Sequence, residues 1–109
     1  MTKAHHDELW TALSDPTRRA ILERLTRGPV RVTDIAAPFD MSLNSVSKHI
    51  KVLEAAHLVR RTVEGREHTI ELDPVPLREV ARWASDLEKL WSERLDRIEQ
   101  YFKEKGKKK

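Results

Sequence analysis

Residues 42–53 read Ser42-Leu43-Asn44-Ser45-Val46-Ser47-Lys48-His49-Ile50-Lys51-Val52-Leu53. Leu43, Val46, Ile50 and Leu53 recur at spacings of 3, 4 and 3, the signature of one helix face. Ser42, directly ahead of the first apolar position, is a residue type that caps helix N-termini. With about 100° of rotation per residue, Asn44, Lys48 and Lys51 point away from the apolar stripe, and Ser45 and His49 lie on its flank. The spacing therefore predicts a helix that buries one stripe and presents a small, polar, cationic surface.

Working outward, the character changes on the C-terminal side. Leu58–Val63 and Glu67–Leu72 are rich in β-branched residues and arginine. Glu64-Gly65-Arg66 separates them, and Gly65 can supply the positive φ of a tight turn, so the pair predicts a β-hairpin. Pro74 and Pro76 end it, and a last helix is expected from about Pro76 to Phe102. On the N-terminal side, Leu9, Trp10 and Leu13 mark a short first helix. Asp15-Pro16 is an N-cap followed by a first helical residue. Ala20, Ile21 and Leu25 give the second helix its apolar face, broadened by Leu22, and Gly28-Pro29 stops it. Val30–Val32 suits one short strand, and Thr33 is expected to cap a short third helix through Ala37. Two helices joined by a tight turn over Thr33–Leu53, followed by a two-stranded wing, form the winged helix-turn-helix plan. The expected fold is mainly α with a small β-hairpin, flanked by N- and C-terminal dimerisation helices. Residues 1–102 would form one domain, and 103–109 a disordered lysine-rich tail.

Composition narrows the function. A chain of 109 residues suits one domain with a modest core. The absence of cysteine excludes disulfides, zinc–thiolate centres and thiol nucleophiles and fits a cytoplasmic location. No apolar run approaches the roughly 18 residues of a membrane span, and Met1–Glu8 has no apolar core to act as a signal peptide. The formal net charge of +3 comes from the tail, where 103–109 hold five lysines and one glutamate. Residues 16–68 carry ten Lys/Arg against six Asp/Glu, a locally positive stretch suited to a phosphate backbone.

A helix entering a major groove needs small N-terminal residues and donors that reach base edges. Ser42, Asn44, Ser45, Ser47 and Lys48 meet that need, with His49 and Lys51 beside them. Arg66 at the wing tip and His68 share a face suited to phosphate or the minor groove. Arg31 and Thr33 are placed to touch phosphate. The competing readings are a solvated helix face and, for Arg60 and Arg61, pairing with Glu64, Glu67 or Glu71. In the last helix, Leu77, Val80, Ala84, Leu87, Trp91, Leu95, Ile98 and Phe102 form one stripe. Trp83, Leu90, Tyr101 and Ala81 widen it to an arc of about 180°, broader than an ordinary surface helix needs. A second copy of the same helix is the simplest cover, together with Trp10 and Leu13. The expected interface is thus Trp10, Leu13, Trp83, Leu87, Leu90, Trp91, Leu95 and Ile98.

Leu9 to Leu22, with Ser14-Asp15-Pro16-Thr17-Arg18-Arg19 at its centre, and Ser42 to Val59 together resemble the ArsR/SmtB family of bacterial and archaeal repressors, as does Glu64-Gly65-Arg66 as a wing tip. The resemblance covers about residues 8–100. It implies a dimeric protein that binds double-stranded DNA at an inverted-repeat operator and is released by a signal. Metal-sensing members carry a cysteine pair on the third helix or Asp/His ligands on the last. Here Thr33-Asp34-Ile35-Ala36-Ala37 has no thiol, and 77–102 contain no histidine. The closest likeness is to cysteine-free members with a Pro38-Phe39-Asp40-Met41-Ser42 turn, so no metal or cofactor is expected. Asn44 stands where many of these relatives have proline. Two alternatives stay open: a metal-responsive repressor using histidine and carboxylate ligands such as His5, His6, Asp7 and Glu8, and a winged-helix module that binds only protein. Catalysis is not expected, since no P-loop, nucleophile elbow or HExxH pattern occurs.

Overall fold

The computed structural model describes residues 3–107. In chain order the elements are α1 (Lys3–Leu13), α2 (Pro16–Leu25), β1 (Val30–Arg31), α3 (Val32–Ala36), α4 (Leu43–Ala55), β2 (Val59–Glu64), β3 (Glu67–Leu72) and α5 (Pro74–Lys107). The chain divides after Leu77 into two compact units. In the first, the wing hairpin β2–β3 pairs in antiparallel register from Val59 opposite Leu72 to Glu64 opposite Glu67. β1 adds to the other edge of β3, with Val30 opposite Ile70. The sheet order is therefore β1-β3-β2, three strands where the sequence predicts a hairpin and one unplaced strand.

The core draws on every element of this unit. Leu9, Ala12, Ile21, Leu22, Leu25, Val30, Ile35, Val46, Ile50, Leu53, Ala56, Leu58, Val59 and Ile70 are buried. Each fully buried Leu or Ile contributes about 1.5–3 kcal/mol relative to exposure. No polar side chain is buried among the described residues.

Several expectations are corrected. The buried face of α2 is Ile21, Leu22 and Leu25, and Ala20 is exposed, because the adjacent Ile21–Leu22 pair rotates the stripe away from Ala20. Thr33 does not cap α3. The N-cap is Arg31, extended at the end of β1 and without a side-chain cap bond, since strand pairing carries the chain straight into the helix at Val32. α1 begins at Lys3, ahead of the Leu9, Trp10 and Leu13 that mark it in the sequence, so the His5-His6 pair lies within the helix. α5 continues past Phe102 to Lys107, into the segment expected to be disordered; Lys108 and Lys109 lie outside the described residues.

The end of α4 sets the start of the wing. Leu58 N–H donates to Leu53 O (3.0 Å) and His57 N–H to Glu54 O (3.0 Å), the paired bonds of a Schellman cap. The turn places His57 at φ 59°, a left-handed conformation that glycine adopts freely and β-branched residues strongly resist. His57→Gly should therefore fold at least as stably as His57→Val, with Val the worse by about 1 kcal/mol or more. Equal denaturation midpoints for the two variants would contradict a strained backbone here.

Candidate nucleic-acid interface

The cap of α4 builds the first part of the site. Ser42 is extended (φ −68°, ψ 155°) and its Oγ accepts from Ser45 N–H at 3.1 Å, while donating to Ser45 Oγ at 3.0 Å. Val46, Ile50 and Leu53 anchor one face in the core. That leaves Asn44, Lys48 and Lys51 exposed and Ser45 and Ser47 half-buried. Leu43, expected on the buried stripe, is instead 49% exposed. The core ends one turn short of it.

The wing stands beside this helix. Arg61 on β2 forms a two-pronged pair with Glu54 on α4, Nη2–Oε1 at 2.7 Å and Nε–Oε2 at 3.3 Å. Its third nitrogen, Nη1, donates to His68 Nδ1 at 2.9 Å. Bidentate guanidinium–carboxylate geometry fixes orientation as well as distance, so Arg61 holds the hairpin to α4. Carboxylate pairing is the competing reading of both wing arginines in the sequence; Arg61 takes Glu54, outside the carboxylates that reading names, and Arg60 takes Glu71 across the strands at 3.5 Å. Arg31 reaches both Asp34 and Glu67 at 3.2 Å. These bonds, Asp34's first, raise the Arg31 pKa and tie β1 to the start of β3.

Between these parts lies an open cleft of about 360 Å³, lined by Arg31, Thr33, Ser47, Arg66 and His68 among others. Five of the eleven residues selected from sequence thus share one concave surface. Asn44, Lys48 and Lys51 lie on the exposed face of the adjoining helix. The side chains of Lys48, Lys51 and Arg66 form no ion pair or hydrogen bond among the described residues.

His49 is placed differently from the expectation. Its Nδ1 accepts from Arg18 Nη1 at 3.2 Å and lies 3.8 Å from Asp15 Oδ2, so the ring faces the start of α2. Arg18 also donates to the carbonyls of Ala12 (2.9 Å) and Thr11 (2.7 Å), satisfying the end of α1. This corner packs α1, α2 and α4 together. Arg18 was not singled out from sequence; its place inside the Asp15-Pro16 helix start was the available signal.

The second unit, α5 beyond Leu77, exposes Trp83, Leu87, Leu90, Trp91, Leu95, Ile98, Tyr101 and Phe102. The Arg94 guanidinium lies 4.8 Å from the Trp91 ring centre. In the first unit Trp10 is exposed and Leu13 half-buried. No helix among the described residues is long and apolar enough to cross a membrane.

A family model described as a helix-turn-helix domain matches residues 13–62, from the end of α1 into β2. The chain is 39% identical over 100 residues to the HTH-type transcriptional regulator Rv2034 of Mycobacterium tuberculosis, covering 92% of this chain and 91% of that one. The transcriptional repressor SdpR of Bacillus subtilis is 32% identical over 77 residues, covering 71% of this chain and 86% of its own. Among solved structures, an ArsR family transcriptional regulator superposes with a TM-score of 0.80 at 39% identity, over 84% of this chain and 95% of that one. The chain belongs to the ArsR/SmtB family. Within that family's winged helix-turn-helix frame, α3 and α4 are the paired helices, β2–β3 is the wing, and the cysteine-free sequence leaves no thiol on α3.

The Asp15 cap offers a test of the corner behind this ArsR/SmtB frame. Its carboxylate accepts from Arg18 N–H at 3.0 Å. That bond, followed by the charges of Arg18 and His49, holds its pKa below the ordinary 3.8. A depressed folded-state value means stability that is fully present above the unfolded value and is lost as pH falls through the folded one. Asp15→Asn keeps a capping side chain without the charge. Wild type should be the more stable at neutral pH, and the difference should begin to shrink only below about pH 4 and be lost as pH falls through the lowered folded-state value. A difference that stays constant from pH 7 to pH 3 in thermal melts would contradict the assignment.

Proposed function

We propose that this protein is a homodimeric transcriptional repressor that docks α4 in the major groove of double-stranded DNA and reads an inverted-repeat operator. The observation that carries the reading is the convergence of Leu43 and Ser47 of α4, the α3 entry and the wing tip on one cleft, with Asn44, Lys48 and Lys51 exposed on the same helix and the side chains of Lys48, Lys51 and Arg66 left unpaired. Unpaired surface cations next to a helix of small polar residues suit a phosphate backbone around readable base edges. Asn44 is the adenine-reading candidate and Lys48 the guanine-reading one. Ser42, Ser45 and Ser47 let the backbone approach. Lys51, Arg66, His68 and Thr33 face the sugar–phosphate strands or the minor groove, while Arg31, paired with Asp34 and Glu67, positions the wing beside them. His49 acts through the α1–α2 corner and not on DNA directly. Repression is favoured by kinship with a chain named as a repressor.

Selection from a random duplex pool should return an inverted repeat with half-site centres one or more helical turns apart, roughly 34 Å per turn. On that duplex, Asn44→Ala should cost about 1–3 kcal/mol with little effect on random DNA and an unchanged salt slope. Arg66→Ala should weaken both duplexes more evenly and lower the slope of log K against log salt by about one. Featureless selected sequences, or an Asn44→Ala loss equal on all DNA, would overturn the assignment.

The apolar face of α5 favours a second copy of the chain as its cover. Leu87→Glu or Trp91→Glu would place an uncompensated charge in that contact, at a cost of several kcal/mol. Sedimentation should show monomers, with operator binding lost. Dimeric, active variants would place the subunit contact elsewhere.

A further inference from the structure

Leu43 is an apolar side chain in a place where the fold does not use it. The three other members of its stripe are fully buried, while Leu43 keeps about half its surface in water (49%). It occupies the first position of α4, directly after the Ser42 cap and one residue before Asn44. It also forms part of the cleft wall with Val32, Thr33 and Ser47, in a cleft that Arg66 of the wing also lines. An apolar wall inside a cleft bordered by an unpaired cation combines two recognition chemistries on one surface. Duplex DNA presents both together: anionic phosphates along the edges, and one apolar group on the major-groove floor, the thymine 5-methyl.

We propose that Leu43 is a specificity-determining residue whose side chain packs on the 5-methyl group of a thymine when α4 lies in the major groove. The inference rests on the DNA-binding reading above and adds a base preference to it. Asn44 reads by hydrogen bonds; Leu43, its neighbour on the first turn, reads by shape and apolar contact. Each half-site therefore contains a thymine whose methyl group, and not its hydrogen-bonding edge, is required.

The test uses the full chain and the duplex obtained by selection, with each thymine replaced in turn by deoxyuridine. That exchange removes the methyl and leaves base pairing intact. Wild type should lose about fourfold in affinity at one position per half-site, the equivalent of roughly 0.8 kcal/mol for one buried methyl-sized group. Replacement in both half-sites should cost on the order of tenfold. Leu43→Ala should bind the thymine duplex correspondingly less well and show no further loss on the deoxyuridine duplex. Leu43→Met, which retains apolar reach, should restore the discrimination. Because Leu43 is half-exposed, circular dichroism melts should find both variants folded. If wild type shows no deoxyuridine penalty, or if Leu43→Ala keeps the full penalty, the proposal is overturned. If wild type binds no duplex at all, the DNA-binding reading itself fails, a result visible before any thymine is exchanged.

Discussion

Val46, Ile50 and Leu53 are wholly withdrawn from water, and the rest of the site geometry depends on that burial. Once these three side chains fix the rotation of α4, the opposite face has no choice of direction. Asn44, Lys48 and Lys51 must project into solvent, and the serines must line the approach. Losing a buried Ile or Leu to alanine in such a position costs about 2–5 kcal/mol, a large fraction of the stability of a chain this size. The functional surface is thus held mainly by apolar packing behind it, with the Ser42 cap fixing its first turn.

Two polar devices refine what the core sets. The Arg61–Glu54 fork, extended to His68, ties the wing to the far end of α4. The Arg31 pairs with Asp34 and Glu67 tie it to the start of α3. Both sets are partly solvated, so their value lies in orientation more than in stability. Cations used in this way are unavailable as free phosphate ligands. The division of labour among arginines is therefore structural for Arg31 and Arg61 and outward-facing for Arg66.

Much of this was legible in the sequence because local signals agreed with one another. Asp15-Pro16 named the start of α2, Ser42 the start of α4, and Gly65 the wing turn, each from a backbone requirement that few residues meet. The periodic stripe of α4 gave the rotation of the helix. What sequence could not give was where the core stops. Leu43 obeys the period yet lies beyond the packed region, and Ala20, about 160° around the helix from Leu22, falls outside the arc that Ile21, Leu22 and Leu25 bury. Long-range pairs were equally hidden: nothing local links Arg61 to Glu54 rather than to Glu64, or His49 to Arg18. The partner strand of β1 and the reach of α5 to Lys107 likewise depend on tertiary pairing and helix continuation, which short windows do not report.

The central claim is that α4 and the wing form one DNA-docking face and that two copies act together. A hydroxyl-radical footprint on the selected duplex, paired with methylation protection of major-groove guanines, tests this most directly. The account predicts two protected patches related by two-fold symmetry. Major-groove protection should lie at the centre of each, and flanking backbone protection should disappear on loss of the Arg66 side chain. A single patch, or uniform protection along the duplex without major-groove signal, would contradict it.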